Sequence, residues 1–154
     1  VGLAYHYFGS KSGMLSAIIH AFYDRYNQVA NQYIDPDILW GVREKRRLMA
    51  VVEFLYNDPM APVILGKMAR TNQVAAVESA RHEEMIEMAI RNIGSGIKRG
   101  DIGPHIDPTI AGAAITGAIR SGIMHAMGMR PRPDPAKLTH QIWGMIAGAL
   151  DIER

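Results

Sequence analysis

Cysteine is absent from the 154 residues, which removes disulfide frameworks, thiolate nucleophiles and zinc–thiolate sites together. A cysteine-free chain fits a reducing cytosol, and a cytoplasmic location is expected. Long apolar runs are missing as well: none approaches the ~20 residues that a bilayer-spanning helix requires, so no membrane partner is expected. Neither sign of charge dominates, because 17 Lys and Arg against 15 Asp and Glu leave only +2 at pH 7. Composition alone therefore makes no case for nucleic acid. The opening Val1-Gly2-Leu3-Ala4-Tyr5-His6-Tyr7 lacks a basic n-region and an apolar h-region, so it is no signal peptide. With Val at position 1, the sequence is expected to begin inside a longer gene product. Alternating Val/Ile/Thr runs, internal repeats and low-complexity tracts are also absent.

Helical periodicity is what remains, in a chain long enough for one well-buried core or a small module plus one. From Leu15 the apolar positions run Ile18, Ile19, Phe22, Tyr26, Val29, Ala30 and Tyr33, the stripe of a single helix face. Ser10 is suited to cap that helix, and Asp35-Pro36 is expected to end it. At ~1.5 Å per residue such a helix is roughly 36 Å long. Leu48, Val51, Val52 and Leu55 predict a second helix between Pro36 and Asp58. Asp58-Pro59, Asp107-Pro108 and Asp134-Pro135 share one start signal: Asp accepts the free N–H groups, and Pro loses nothing at the first helical position. A short helix is expected after Pro59 or Pro62, ending near Thr71-Asn72. A long one carries Val74, Val77, Met85, Ala89, Ile93 and Ile97 and stops at Gly100. A helix from Ile110 to about Met127 and a last one bearing Leu138, Ile142, Met145, Ile146, Ala149 and Leu150 complete an all-α chain.

The segment from Val1 to Leu15 carries two spaced aromatics, a Phe, a Ser-Lys pair and a Leu at fixed offsets: Tyr5, Tyr7, Phe8, Ser10, Lys11 and Leu15. It resembles the second half of the DNA-binding motif of the tetracycline-repressor-like (TetR) family, in which a recognition helix ends in such a cluster and Ser-Lys opens a long connecting helix. The resemblance implies a partial helix-turn-helix over residues 1–15, the family's first two helices lying before Val1. It further implies a helical effector-binding and dimerisation domain over 16–154, whose last two helices form a four-helix bundle across a dimer. Gly2, Leu3, Tyr5 and His6 would then face DNA, Lys11 would hold a phosphate, and Tyr7 and Phe8 would be core. The chemistry agrees with this reading: a Tyr offers a ring to pack and a hydroxyl for a phosphate. Lys11 adds a point charge beside backbone donors at a helix start. The competing reading makes Tyr5, Tyr7 and Phe8 a hydrophobic lid over the long helix. Gly13 stands where the family usually has Glu, which removes the return half of a capping box.

Two further textures bear on function. Gly112, Ala113, Ala114, Gly117, Ala118, Ser121, Gly122 and Ala126 crowd one helix with small residues, which are costly mid-helix without a packing reason. Gly117 and Ser121, with Ile142, Trp143 and Ile146 on the last helix, are the expected dimer contacts; an ordinary intramolecular crossing is the alternative. Met and aromatic residues are frequent in the middle of the chain, and unbranched Met adapts to varied apolar ligands. Tyr26, Phe54, Met68, Met85, Met88 and Met124 are candidates for an effector pocket, with a polar end at His82, Arg120 or His125. Plain core is the alternative for each Met.

Catalytic patterns fail. His82-Glu83 has Ile86 where a zincin needs its second His. Glu83 and Glu87 read as a solvated face, and Arg43-Glu44-Lys45-Arg46-Arg47 as an exposed helix start. No phosphate loop or nucleophile elbow occurs. No enzyme activity, metal or cofactor is expected. The leading function is a DNA-binding repressor, homodimeric on a palindromic operator and released by a small apolar effector. A small all-α ligand-binding protein or enzyme using the same cavity, and a pure interaction module, are the competing classes.

Overall fold

The computed structural model describes residues 9–66 and 72–152, apart from the side chain of Gln73, and among these every regular element is a helix. Helix α1 spans Lys11–Ala30, α2 Trp40–Asn57, α3 Ala61–Leu65, α4 Asn72–Arg99, α5 Pro108–Gly128 and α6 Pro135–Ala149. No helix among the described residues is long and apolar enough to cross a membrane.

The start signals act as polar chemistry requires. Ser10 is extended, and its Oγ accepts the Gly13 N–H at 3.0 Å. Asp107 accepts from Thr109 and Ile110, and Asp134 from Ala136 and Lys137, each with Pro at the first helical position. Asp58 behaves differently. Its Oδ1 accepts the Met60 N–H at 2.8 Å while its Oδ2 pairs with Arg25 at 2.7 Å, so α3 begins only at Ala61. That helix closes at Leu65, because Gly66 is extended, and does not run on toward Thr71. Gly100 ends α4 with φ 80°, a left-handed conformation that glycine adopts freely, and the Asp101 N–H bonds back to the Gly96 carbonyl at 2.9 Å.

Helix α1 is shorter than its apolar stripe. It stops at Asn31, whose backbone N–H and side-chain amide both donate to the Asn27 carbonyl at 2.9 Å. Tyr33, expected on the buried face, is consequently 85% exposed. Helix α1 also runs unbroken across the domain boundary expected after residue 15, with Leu15 packed on the core and Ser16 buried.

Contacts between helices close into a ring: α1 lies on α2, α2 on α6, α6 on α5, α5 on α4, and α4 back on α1. Large side chains fill the seams. Phe22 meets Tyr23 edge-on at 5.3 Å and Phe54 at 5.7 Å, joining α1 to α2. Trp40 meets Trp143 at 6.4 Å, joining α2 to α6, and its Nε1 donates to the Asn92 carbonyl of α4 at 3.0 Å. Each such buried ring contributes roughly 1.5–3 kcal/mol through the apolar surface it removes from water. On the outside, Arg81 of α4 reaches Asp24 at 2.9 Å and His20 at 2.8 Å on α1.

Candidate functional site

The ring does not fill completely. A half-open cleft of about 140 Å³ lies at its centre, and all five helices contribute walls. Helix α1 supplies Tyr26 and Ala30; α2 supplies Trp40, Glu44, Arg47, Leu48 and Val51. Helix α4 adds Met85, Met88, Ala89, Asn92 and Ile93. Ile115, Thr116 and Ile119 come from α5, and Trp143 and Ile146 from α6. The lining is predominantly apolar, and clefts between bundled helices are ordinary small-molecule sites.

One end of the cleft is polar, and it is not the end that the sequence suggested. Glu44 pairs with Arg47 one turn further along α2. The Asn92 amide of α4 lies 3.5 Å from the second Glu44 oxygen. Burial lifts the Glu44 carboxyl above its ordinary value, against the opposing pull of Arg47 and Arg43. Tyr26 is affected likewise: burial and then the neighbouring Tyr23 raise its phenol well above the usual range. Among the described residues, the buried Nε atoms of Arg43 and Arg47 find no hydrogen-bond partner. This corrects the reading of residues 43–47 as an exposed helix start. Arg43 is only 9% exposed. A charge run shows the polarity of a segment but not which neighbour will lie over it, and no local pattern marks Glu44 or Arg47 as cavity residues.

Of the residues expected in the pocket, Tyr26, Met85 and Met88 line the cleft. Phe54 does not; it packs against Phe22 and, at 6.3 Å, Tyr26, in the aromatic seam beside it. His82, Arg120, Met124 and His125 also lie outside the lining. His125 is exposed, and the Nδ1 of His82 is buried without a hydrogen bond. Met68 falls outside the described residues, as do Gly2, Leu3, Tyr5 and His6, together with Tyr7 and Phe8. Lys11 is exposed in the first turn of α1, directly after the Ser10 cap.

The residues assigned to a dimer contact divide into two sets. Ile142, Trp143 and Ile146 face inward, only 6%, 3% and 6% exposed, and Trp143 and Ile146 belong to the cleft. The apolar stripe of α6 merges two sides of that helix. Its outward member is Met145, at 66% exposure, with Ala149 also exposed. Gly117 and Ser121 lie on the open side of α5: a Cβ on Gly117 would meet nothing within 4 Å, and Ser121 is exposed beside Ala113, Ala114 and Ala118.

No family model matches the chain, and no curated protein matches it by sequence. Among solved structures, a protein from Rhodococcus sp. described as a TetR-family transcriptional regulator superposes with a TM-score of 0.72. That match covers 97% of this chain and 80% of that one, at 16% sequence identity. The chain thus has the all-helical fold of a TetR-family regulator.

Proposed function

We propose that the chain is the greater part of a one-component transcriptional regulator, acting as a cytoplasmic repressor that a small apolar molecule releases from DNA. The observation that carries this reading is the double role of α1. One end presents Lys11 beside a capped helix start, and the other supplies Tyr26 and Ala30 to the cleft wall. Filling the cleft and orienting the DNA-reading end are thereby linked through one rigid element. Residues 1–15 supply the reading end, with Gly2, Leu3, Tyr5 and His6 toward the bases and Lys11 on a phosphate. Residues 16–154 form the effector-binding and dimerising part. Release requires that the effector bind the DNA-free arrangement more tightly than the DNA-bound one.

A two-fold dimer suits a palindromic operator. The open sides of α5 and α6, with Gly117, Ser121 and Met145, are the surfaces we assign to it, because small exposed residues let a second copy approach closely. The test is a mobility shift of full-length protein on the DNA upstream of its own gene, repeated at several salt concentrations. We expect a sequence-selective shift that weakens steeply with salt. The Tyr5→Ala, Lys11→Ala double variant should lose it. Absence of any shift for the wild-type protein overturns the regulator reading in favour of a ligand-binding protein or enzyme using the same cleft.

A further inference from the structure

The polar end of the cleft specifies more than an apolar ligand. Glu44 offers carboxylate oxygens that Arg47 and Asn92 only partly occupy, since a carboxylate has about four lone-pair sites. Arg47 offers guanidinium N–H donors that its pairing with Glu44 only partly uses. Donor and acceptor therefore sit side by side in one patch. Among the lining residues the formal charges are one Glu and one Arg, which cancel.

This arrangement discriminates by charge. A ligand carboxylate would meet the Glu44 anion at short range in a site that already burial-shifts that group. A ligand ammonium would meet Arg47 in the same way. A hydroxyl suits both partners, because it donates through its hydrogen and accepts through its oxygen, adding no charge to the apolar site. Size and wall chemistry narrow the class further. A closed apolar cavity of roughly 150 Å³ is enough to take benzene, and the cleft measures about 140 Å³. Its walls include two indoles with centroids 6.4 Å apart and two thioethers, Met85 and Met88, surfaces that favour an aromatic ring.

We infer that the cleft takes an uncharged single-ring aromatic alcohol, a phenol, with its ring against Trp40, Trp143 and Met88 and its hydroxyl beside the Glu44–Arg47 pair, donating to a remaining Glu44 lone pair and accepting from a remaining Arg47 N–H. The inference deepens the proposed role of the cleft as the effector site, and it is tested without DNA.

The experiment titrates the purified chain near neutral pH with phenol, toluene, benzoate and benzylamine, by calorimetry and tryptophan fluorescence. Phenol should bind roughly tenfold or more tightly than each of the others, the size expected from one satisfied hydrogen bond to a charged group or one uncompensated charge. Equal or tighter binding of toluene, benzoate or benzylamine, or no binding of phenol, overturns the assignment. Glu44→Leu should lower phenol affinity about tenfold while leaving toluene within a few-fold; parallel losses for both ligands would also sink it. The ligand panel on the wild-type chain decides the matter even if that variant misfolds. Phenol binding without an operator shift would uphold this assignment and overturn the regulator, whereas an operator shift without phenol binding would do the reverse.

Discussion

The two sides of α5 carry the same small residues and do opposite things. Toward α4, Gly112 is buried, and a Cβ there would lie 2.7 Å from Ile90 Cγ1 and 3.0 Å from the Ile90 backbone nitrogen. Absence of a side chain is what lets the two helices approach. On the open side, a Cβ on Gly117 would meet no atom of another helix among the described residues within 4 Å, and Ala113, Ala114 and Ala118 stand exposed. The aromatic seam between α1 and α2 shows the contrasting principle, in which Phe22, Tyr23 and Phe54 occupy their space with bulk. Small residues thus take their meaning from what lies opposite them.

The strongest way to break this contrast is to delete bulk. Trp143→Ala removes a 3%-exposed indole that touches Trp40 and borders the cleft, and should cost about 3–5 kcal/mol in denaturant unfolding. A loss below about 1 kcal/mol would mean that the α2–α6 seam repacks freely. Adding bulk at the close approach comes next. Gly112→Ala should destabilise by about 1–3 kcal/mol, since the obstacle is backbone as well as the Ile90 side chain. Gly117→Ala sharpens the comparison with the opposite sign. With open space around it, the new methyl should stabilise the chain by up to about 1 kcal/mol through helix propensity. Gly117→Leu at the same position should disrupt the proposed dimer, read as a lower mass by light scattering. Unchanged mass would remove that side of α5 from the interface.

The smallest effect concerns the cleft. Burial raises the folded-state Glu44 carboxyl above the ordinary 4.5. A group raised on folding contributes stability that is fully present below its unfolded value and is lost as pH rises through its folded one. Wild-type protein should therefore gain stability relative to Glu44→Gln as pH falls from the raised value toward 4.5, measured as paired thermal melts. Parallel melting curves across that interval would show that Glu44 is not held in a poorly hydrated site.

Much of the fold was legible from local chemistry. The Asp107 and Asp134 starts and the Gly100 stop all lie where capping rules put them, because a cap needs only a few neighbouring residues. Apolar spacing alone carries α1 through Tyr33, beyond its actual end at Asn31. Periodicity continues past the point where Asn31 closes the helix with its own side chain. The cleft was half legible: Tyr26, Met85 and Met88 announced themselves as adaptable apolar residues, but its polar end did not. Histidines and Arg120 looked suited to that role, whereas Glu44 and Arg47 were hidden in a run whose composition suggested solvent.

The sequence by itself determined where the helices capped by Ser10, Asp107 and Asp134 begin and which stretches carry helical periodicity. Those outcomes depend on hydrogen bonds and periodicities spanning a few residues. Only the tertiary structure decided which side of each helix is covered, so that Arg43 became buried, Trp143 turned inward and Gly117 stayed open. Burial is a property of pairs of helices: it depends on the neighbour that docks, and that neighbour lies tens of residues away in the chain.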